Sequence, residues 1–229
     1  MDSIKEIHNK KISDSYFSFY NKEIVNLLPE NPGVILDIGC ATGTLGARII
    51  EQKKPIQYDG IEIVQHIAYE AKKYLNKVYV GEAEEWLPKL PSKSYNWIIL
   101  ADSLEHTVNP WNVLAEVYRI LDDKGKVLIS IPNVRNLGVI TDLLVKGIWK
   151  YRDFGIMDQG HLRFFTKKSI VEMLEQSGFS VKTLYSDPRN RWKKFPGRFF
   201  SRIISLAIFQ PKAYEELITV QWVIKAEKI

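Results

Sequence analysis

One short segment, residues 34–46, constrains the fold of this 229-residue chain more than any other part of its sequence. It runs Val-Ile-Leu-Asp-Ile-Gly-Cys-Ala-Thr-Gly-Thr-Leu-Gly, so an apolar run passes directly into a glycine turn and then into a helical pattern. Because Gly39 and Gly43 carry no Cβ, such a turn lets the backbone approach a nucleotide-like ligand closely. The segment therefore predicts a buried strand, a ligand-binding turn and a helix.

The residues of this turn distinguish between two kinds of ligand. Dinucleotide-binding turns follow the pattern Gly-x-Gly-x-x-Gly, which cradles a pyrophosphate at a helix N-terminus. Here Ala41 stands in place of the middle glycine, and the carboxylate of Asp37 precedes Gly39 by two residues. A carboxylate at this point repels a pyrophosphate and attracts a cationic or amine-bearing ligand.

The rest of the chain alternates between strand and helix patterns. After the first strand at 34–38, the predicted strands are 57–62, 77–80, 96–101 and 126–131, and the predicted helices are 44–53, 65–74, 83–87 and 110–121. A helix over 166–178 with Thr166 as its N-cap, a strand over 179–185 and an alternating strand over 219–228 follow. Strands that alternate with helices predict a doubly wound, mostly parallel α/β sheet with helices on both faces.

Length and composition predict one globular domain, residues 1–229. The chain is 45% apolar, which is enough to form a sizeable core at this length. Its single cysteine, Cys40, excludes an internal disulfide and fits a reducing compartment. The sequence has no run of 18 uncharged apolar residues, and its N-terminus is polar and lacks a signal-peptide core, so we expect a cytoplasmic protein.

Three segments lie outside the alternation. Residues 1–29 form a predicted N-terminal helical cap, whose helix over 3–28 either packs across the sheet or forms a flap over the ligand. Residues 133–165 follow the fifth strand, and residues 187–215 follow the sixth. Because α/β sheets bind ligands beyond the carboxyl ends of their strands, we expect 133–165 to cover the substrate and 187–215 to lie at the rim of the site.

Positive charge concentrates in the last of these segments. Residues 187–202 hold six basic residues against Asp187 alone, an excess equal to the +5 of the whole chain. This local distribution argues against nucleic acid as a partner. Residues 189–209 mix these cations with aromatic and aliphatic side chains at helical spacing. Two interpretations stay open: an interfacial helix at the inner face of an anionic membrane, and an amphipathic helix packed on the domain.

Four segments together resemble the motifs of class I S-adenosylmethionine (SAM)-dependent methyltransferases, in the order that this family has them. They are residues 36–43, 58–63, 81–85 and 97–106. The resemblance implies SAM as cofactor and a Rossmann-like seven-stranded sheet with an antiparallel last strand. It implies that Glu62 accepts the ribose hydroxyls and that Glu82, where the family more often has Asp, accepts the adenine amino group. The residues assigned to the cofactor in this way are Asp37, Gly39, Cys40, Ala41, Gly43, Glu62, Ile63, Glu82, Ala83 and Asp102.

A methyl acceptor with a hydroxyl group must also lose a proton, either to a general base or with the help of a metal. Asp102, Glu105 and His106 follow the fourth strand at spacings that share a face on a helical turn, and His161 lies in the covering segment. We therefore identify Glu105, His106 and His161 as candidate catalytic residues. Two carboxylates and two imidazoles are also a donor set suited to a divalent ion.

The Asp-x-x-Glu-His spacing at 102–106 is similar to the Glu-x-x-Glu-His pattern of metal-assisted O-methyltransferases, which include ubiquinone-biosynthesis enzymes and RNA 3′-terminal 2′-O-methyltransferases. This similarity makes Asp102, Glu105, His106 and His161 candidate ligands of a divalent metal. In members of the superfamily without a metal, the histidine borders the substrate pocket, and this interpretation stays open.

The segment 155–166 resembles methyltransferases associated with bacterial polysaccharide and glycolipid biosynthesis. This resemblance implies O-methylation of a sugar, glycan or lipid-linked hydroxyl, with a small molecule or glycan as the methyl acceptor. One alternative is a metal-assisted O-methyltransferase of a polyprenyl quinone or an RNA 3′ end. Another is a non-catalytic, SAM-binding subunit that regulates a partner enzyme.

Overall fold

The predicted strands come together in one seven-stranded sheet in a computed structural model, which describes residues 20–187, 203 and 213–229. The strands are β1 (Val34–Ile38), β2 (Gln57–Glu62), β3 (Lys77–Val80), β4 (Tyr95–Ala101), β5 (Leu121–Pro132), β6 (Phe179–Asp187) and β7 (Gln221–Lys228). Their spatial order is β3-β2-β1-β4-β5-β7-β6. Strands β1 to β5 are parallel, and β7 is antiparallel to both of its neighbours. The predicted Rossmann-like sheet with an antiparallel last strand is thereby confirmed.

Eight α-helices are present within the described residues. They are α1 (Lys22–Leu27), α2 (Thr44–Lys53), α3 (Gln65–Ala71), α4 (Ala83–Trp86), α5 (Pro110–Ile120), α6 (Leu137–Leu144), α7 (Lys167–Gln176) and α8 (Ala213–Ile218). Thr166 caps α7 as predicted. Its hydroxyl accepts from the backbone N–H of Ser169 at 3.2 Å, and the Ser169 hydroxyl accepts from the backbone N–H of Thr166.

Two boundaries predicted between residues 34 and 187 differ from the structure by three residues or more. The helix predicted over 65–74 ends at Ala71. The residues after it form turns, in one of which Tyr74 N–H donates to Ala71 O. The strand predicted over 126–131 begins earlier, at Leu121, which pairs with Tyr95 of β4. This non-local pairing extends the strand over the polar residues 122–124.

The sheet buries an apolar layer on each face, because successive side chains of a strand point to opposite sides. On β1, Leu36 and Ile38 belong to the cluster that α5 and α7 cover, and Ile35 belongs to the cluster under α1, α2 and α3. Burial of one such side chain contributes about 1.5–3 kcal/mol. The two clusters confirm helices on both faces and give the sheet a rigid central frame.

The N-terminal cap is only partly described, whereas the covering segment 133–165 is described in full. The helix predicted over 3–28 is not continuous, because residues 20 and 21 are not helical and Asn21 caps the start of α1. Helix α1 packs Ile24 and Val25 into the core. The covering segment contains α6, and its Asn133 side chain donates to the backbone oxygens of Glu216 and Thr219 at 2.7 and 3.0 Å. This segment is therefore tied to the start of β7.

Residues 188–202 and 204–212 lie outside the described residues, so both interpretations of 189–209 remain predictions. Among the helices of the described ranges, none combines the length and the apolar character needed to cross a bilayer.

Candidate active site

A cavity of about 580 Å³ lies at the carboxyl ends of the parallel strands. The turns that follow β1, β2, β3 and β4 line it, together with part of the covering segment and the start of β7. The strand order reverses between β1 and β4, and α/β sheets bind their ligands at such a switch point. The cavity is therefore the candidate active site.

The glycine turn after β1 forms one wall of this cavity. Gly39 and Gly43 have φ values of +79° and +78°, which glycine adopts without strain. A Cβ on Gly39 would lie 2.8 Å from the Cβ of Ser103, and one on Gly43 would lie 3.0 Å from the Cα of Ala71. Backbone conformation and close packing both require glycine at these two positions.

The carboxyl group of Asp37 is buried at the end of β1, with 1% of its surface exposed. Its Oδ2 accepts a hydrogen bond from the Tyr58 hydroxyl at 2.9 Å, whereas its Oδ1 has no partner within the described structure. Burial raises the pKa of Asp37 to about 7, and the nearby charge of Glu62 also raises it. A buried carboxyl with one unsatisfied oxygen is suited to a cationic or amine-bearing ligand.

The pKa of Asp37 predicts how the stability of the unliganded protein varies with pH. Between the ordinary value of 3.8 and about 7, the folded protein holds a proton that the unfolded chain has released. The free energy of unfolding is therefore expected to fall as pH rises through this window, by up to about 1.4 kcal/mol per pH unit for this group. Urea unfolding at pH 5, 6, 7 and 8 measures the slope. Equal slopes for the wild type and Asp37→Asn would contradict the assignment.

Tyr58, whose hydroxyl donates to Asp37, carried no sequence signal beyond its place in a predicted strand. Its ring packs against Gly46 of α2, where an added Cβ would lie 2.8 Å from Tyr58 Cε1 and 2.4 Å from Leu75 Cδ2. The third glycine of the 34–46 segment thus permits close packing of the helix on β2.

Gly46→Ala is expected to destabilise the protein by about 1 kcal/mol. Overpacking costs about 1–3 kcal/mol, and the better helix propensity of alanine offsets part of this cost. The Leu75 tip can move, but the Tyr58 ring is held by its bond to Asp37. Guanidinium unfolding monitored by circular dichroism measures the change, and an unchanged or raised midpoint would show that the contact relaxes freely.

Two further acidic residues line the same cavity as Asp37. Glu62 ends β2, and its oxygens accept the backbone N–H groups of Val64 at 2.8 Å and Ala41 at 3.0 Å. These bonds lower its pKa, but burial is the larger effect and raises it. Glu82 follows β3 and is exposed. The three acids predicted at successive strand ends therefore converge on one cleft.

The other residues assigned to the cofactor are also found at this cleft, with one exception. Gly39, Cys40, Ala41, Ile63, Ala83 and Asp102 line the cavity, whereas Gly43 is the N-cap residue of α2 and is not among its described lining residues. Burial and the charges of Asp37 and Glu62 raise the pKa of the Cys40 thiol, so it stays neutral and serves as a small buried residue.

Asp102 departs from the arrangement that its spacing predicts. It adopts a left-handed φ of +54°, so a regular helical turn does not carry it onto the face of Glu105 and His106. Its carboxylate instead accepts from the Ser130 hydroxyl at 3.3 Å and from the Gln221 side-chain amide. Asp102 therefore lies outside the described group of candidate metal ligands, and Gln221, which lies 119 residues away, carried no sequence signal.

Glu105, His106 and His161 come together at the edge of the cavity. Their candidate ligand atoms all lie within 4.8 Å of one another, and the two imidazole centroids are 4.8 Å apart. Glu105 is 1% exposed, and neither of its carboxyl oxygens has a hydrogen-bond partner in the described structure. Burial raises the pKa of Glu105 well above its usual value, and the charges of Asp102 and Asp158 add to this effect.

Backbone carbonyls orient both imidazoles. Nδ1–H of His106 donates to the oxygen of Gly160, and Nδ1–H of His161 donates to the oxygen of Ile156, each at 2.9 Å. Because a carbonyl only accepts, each neutral ring carries its lone pair on Nε2. The Nε2 atom of His161 lies 3.8 Å from Oε1 of Glu105. The arrangement suits proton transfer or the binding of a cation.

The chain is similar to known methyltransferases in both sequence and structure. An uncharacterized protein of Methanocaldococcus jannaschii is 26% identical over 187 residues, which cover 81% of this chain and 68% of that protein. A demethylmenaquinone methyltransferase of Thermotoga maritima is 27% identical over 193 residues, which cover 77% of this chain and 83% of that protein. The crystal structure of a SAM-dependent methyltransferase from Archaeoglobus fulgidus shares the fold, with a TM-score of 0.66 and 18% identity over 94% of this chain and 97% of that chain.

A family model described as "Methyltransferase domain" matches residues 14–184, well over half of the sequence. The fold, the acidic cleft and this match agree with one another. The chain therefore belongs to the methyltransferase-domain family and is a SAM-dependent methyltransferase of the class I superfamily.

Proposed function

We propose that this enzyme transfers the methyl group of SAM to a hydroxyl of a sugar, glycan or lipid-linked acceptor. The observation that supports this proposal most directly is the pair of oriented imidazoles, His106 and His161, on the cavity wall beside the buried Glu105. A hydroxyl oxygen loses its proton when it is methylated, and imidazole is the side chain suited to accept that proton near neutral pH.

The residues of the cleft fit SAM. The unsatisfied oxygen of the buried Asp37 suits a cationic ligand, and the turn from Gly39 to Ala41 gives that ligand a closely approaching backbone. We propose that Asp37, Glu62 and Glu82 hold the cofactor, with its positive charge favouring the ionised form of Asp37. When bound, SAM supplies a methyl group that is already activated for transfer.

We assign the role of general base to His106, because it lines the cavity and is more exposed than His161. Its Nδ1–H bond to Gly160 O fixes the ring, so Nε2 is the atom that accepts the proton. His161 lies deeper, at 7% exposure, next to Glu105. A proton arriving on the imidazole pair favours the ionised form of Glu105, which then stabilises the imidazolium.

A metal-assisted reaction is the second candidate, and the geometry of the same three residues favours it. Their carboxylate and imidazole atoms, within 4.8 Å of one another, form a donor set suited to a first-row divalent ion. The two partnerless oxygens of the buried Glu105 also suit a cation. In this version the metal would lower the pKa of the acceptor hydroxyl.

Removal of divalent ions is expected to leave the rate of methyl transfer unchanged, because an imidazole base needs no metal. The measurement compares initial rates before and after dialysis against EDTA, with the metal content of the protein determined by mass spectrometry. Loss of activity that returns on addition of Mn²⁺ or Zn²⁺ would favour the metal-assisted reaction instead.

The acceptor class is supported by two resemblances. The segment 155–166, which contains His161, resembles methyltransferases of polysaccharide and glycolipid biosynthesis. The Thermotoga maritima relative is named a demethylmenaquinone methyltransferase, which makes a polyprenyl quinone the second candidate acceptor.

Calorimetry with SAM, followed by transfer of a labelled methyl group, tests the proposal. The acceptors to compare are nucleotide sugars, lipid-linked oligosaccharides and demethylmenaquinone. We expect saturable SAM binding and a base-stable methyl ether on a glycan-containing acceptor. Absence of SAM binding at millimolar cofactor would contradict the cofactor site, and label on the quinone alone would contradict the acceptor class.

A further inference from the structure

We propose that residues 143–154 form a surface by which the enzyme docks on an anionic lipid bilayer, with the mouth of its cavity beside the membrane. The inference deepens the proposed function and rests on it, because a lipid-linked acceptor would then reach the cavity from the bilayer. It assigns the docking role to a part of the covering segment, outside the basic stretch 189–209.

The segment that follows α6 exposes an unusual amount of apolar surface to water. Every residue from 143 to 155 is exposed. The exposed fractions are 77% for Leu144, 78% for Val145 and 73% for Phe154. Four further large apolar side chains in the segment are 43–46% exposed, namely Leu143, Ile148, Trp149 and Tyr151. Single exposed apolar residues are ordinary, but a concentration of seven within twelve positions marks an interaction surface.

A row of aromatic rings connects this surface with the histidine pair. The rings of Trp149 and Tyr151 lie 5.3 and 6.2 Å from the ring of Phe164, which lies 6.3 Å from the ring of His161. Phe154 itself lines the cavity. A molecule held at this surface is therefore adjacent to the mouth of the active site.

Three of the four charged side chains of the segment bond to side chains next to it. Lys146 and Arg152 both donate to the carboxylate of Asp142, at 2.7 and 2.9 Å. Asp153 accepts from the side chain of Gln159 at 2.7 Å. A surface whose polar groups are already bonded offers a sugar or a polar protein face few new hydrogen bonds, whereas it loses little when it enters the interface of a bilayer.

The charge of the sequence that follows β6 favours an anionic bilayer. The 25 residues between Asp187 and Ala213 contain seven Lys and Arg and no Asp or Glu. Asp187 pairs with Gln221, which lines the cavity, so this basic stretch leaves the sheet at the same rim as the active site. Basic residues near a membrane surface attract anionic headgroups.

Co-sedimentation with lipid vesicles tests the proposal, using the full chain without SAM or acceptor. We expect binding to phosphatidylcholine vesicles that contain phosphatidylglycerol, and much weaker binding to phosphatidylcholine alone. Leu144→Ser combined with Val145→Ser should lower the partition coefficient by about tenfold or more, because two apolar side chains no longer insert. The matched control is Ile56→Ser with Tyr74→Ser, which removes side chains that are 82% and 55% exposed near the amino ends of the strands.

Three results would overturn the proposal. They are a wild type that does not bind anionic vesicles, equal losses for the two double variants, and a dimer that dissociates in the Leu144 and Val145 variant, since a second copy would then be the occupant. Circular dichroism and SAM affinity verify that both variants fold. Vesicle binding requires no methyl transfer, so a failure of the proposed activity and a failure of the docking surface are distinguishable.

Discussion

Asp37→Asn is expected to weaken SAM binding by about a hundredfold or more. The variant keeps the size of the side chain and can still accept a hydrogen bond from the Tyr58 hydroxyl, so it removes mainly the negative charge. Removing one partner of a buried charge pair costs about 3–5 kcal/mol, because the other charge stays buried and uncompensated. Isothermal titration calorimetry with SAM at pH 8 measures the change.

Asp59→Asn is a matched control for this variant. Asp59 is 2% exposed, accepts from a tyrosine hydroxyl (Tyr95, 3.1 Å) and has a pKa that burial raises, but it is not among the described lining residues of the cavity. SAM affinity should be almost unchanged in this variant. Equal losses in both variants would mean that buried charge in β1 and β2 supports the fold and does not bind the cofactor.

His106→Ala and His161→Ala are expected to lower kcat by about 10²–10⁴, the usual contribution of a general base, with little change in SAM affinity. The His106 variant lacks the proton acceptor, and the His161 variant lacks the imidazole that lies next to both His106 and Glu105. Single-turnover kinetics and calorimetry on the same preparations separate the two effects. Partial recovery of His106→Ala on addition of free imidazole would support a role in proton transfer.

His66→Ala is the control for the histidine variants, because His66 is exposed on α3. Its turnover should match that of the wild type. If His161→Ala loses turnover and SAM affinity to the same extent, its bond to Ile156 O organises the covering segment and the catalytic assignment fails.

Local sequence signals predicted much of the sheet. The bounds predicted for β1, α2, β2 and β3 agree with the structure, because glycine turns and apolar alternation are properties of neighbouring residues. The start of β5 was missed, because Leu121 is held in the strand by Tyr95. That contact depends on the assembled sheet.

The acidic cleft was predictable for a similar reason. The motifs place Asp37, Glu62 and Glu82 at successive strand ends, and parallel strands bring their carboxyl ends to one edge. The side-chain partners were not predictable, since the bond from Tyr58 to Asp37 and the bond from Gln221 to Asp102 join residues 21 and 119 positions apart.

The exposure of the apolar residues in the covering segment was not predictable from the sequence. An apolar run such as 143–149 is typical of core, and only its placement outside the packed layers shows that it faces water.

The position of β7 between β5 and β6 has a consequence for biosynthesis. Within the part of the chain that the structure describes, strand β6 pairs only with β7, so it joins the sheet after residues 221–228 have left the ribosome. The parallel strands β1 to β5 have their parallel partners much earlier, but β5 also pairs with β7, and domains generally fold as units. Gln221, its bond to Asp102 and the part of the cavity wall that it lines are therefore completed only after β7 has been synthesised.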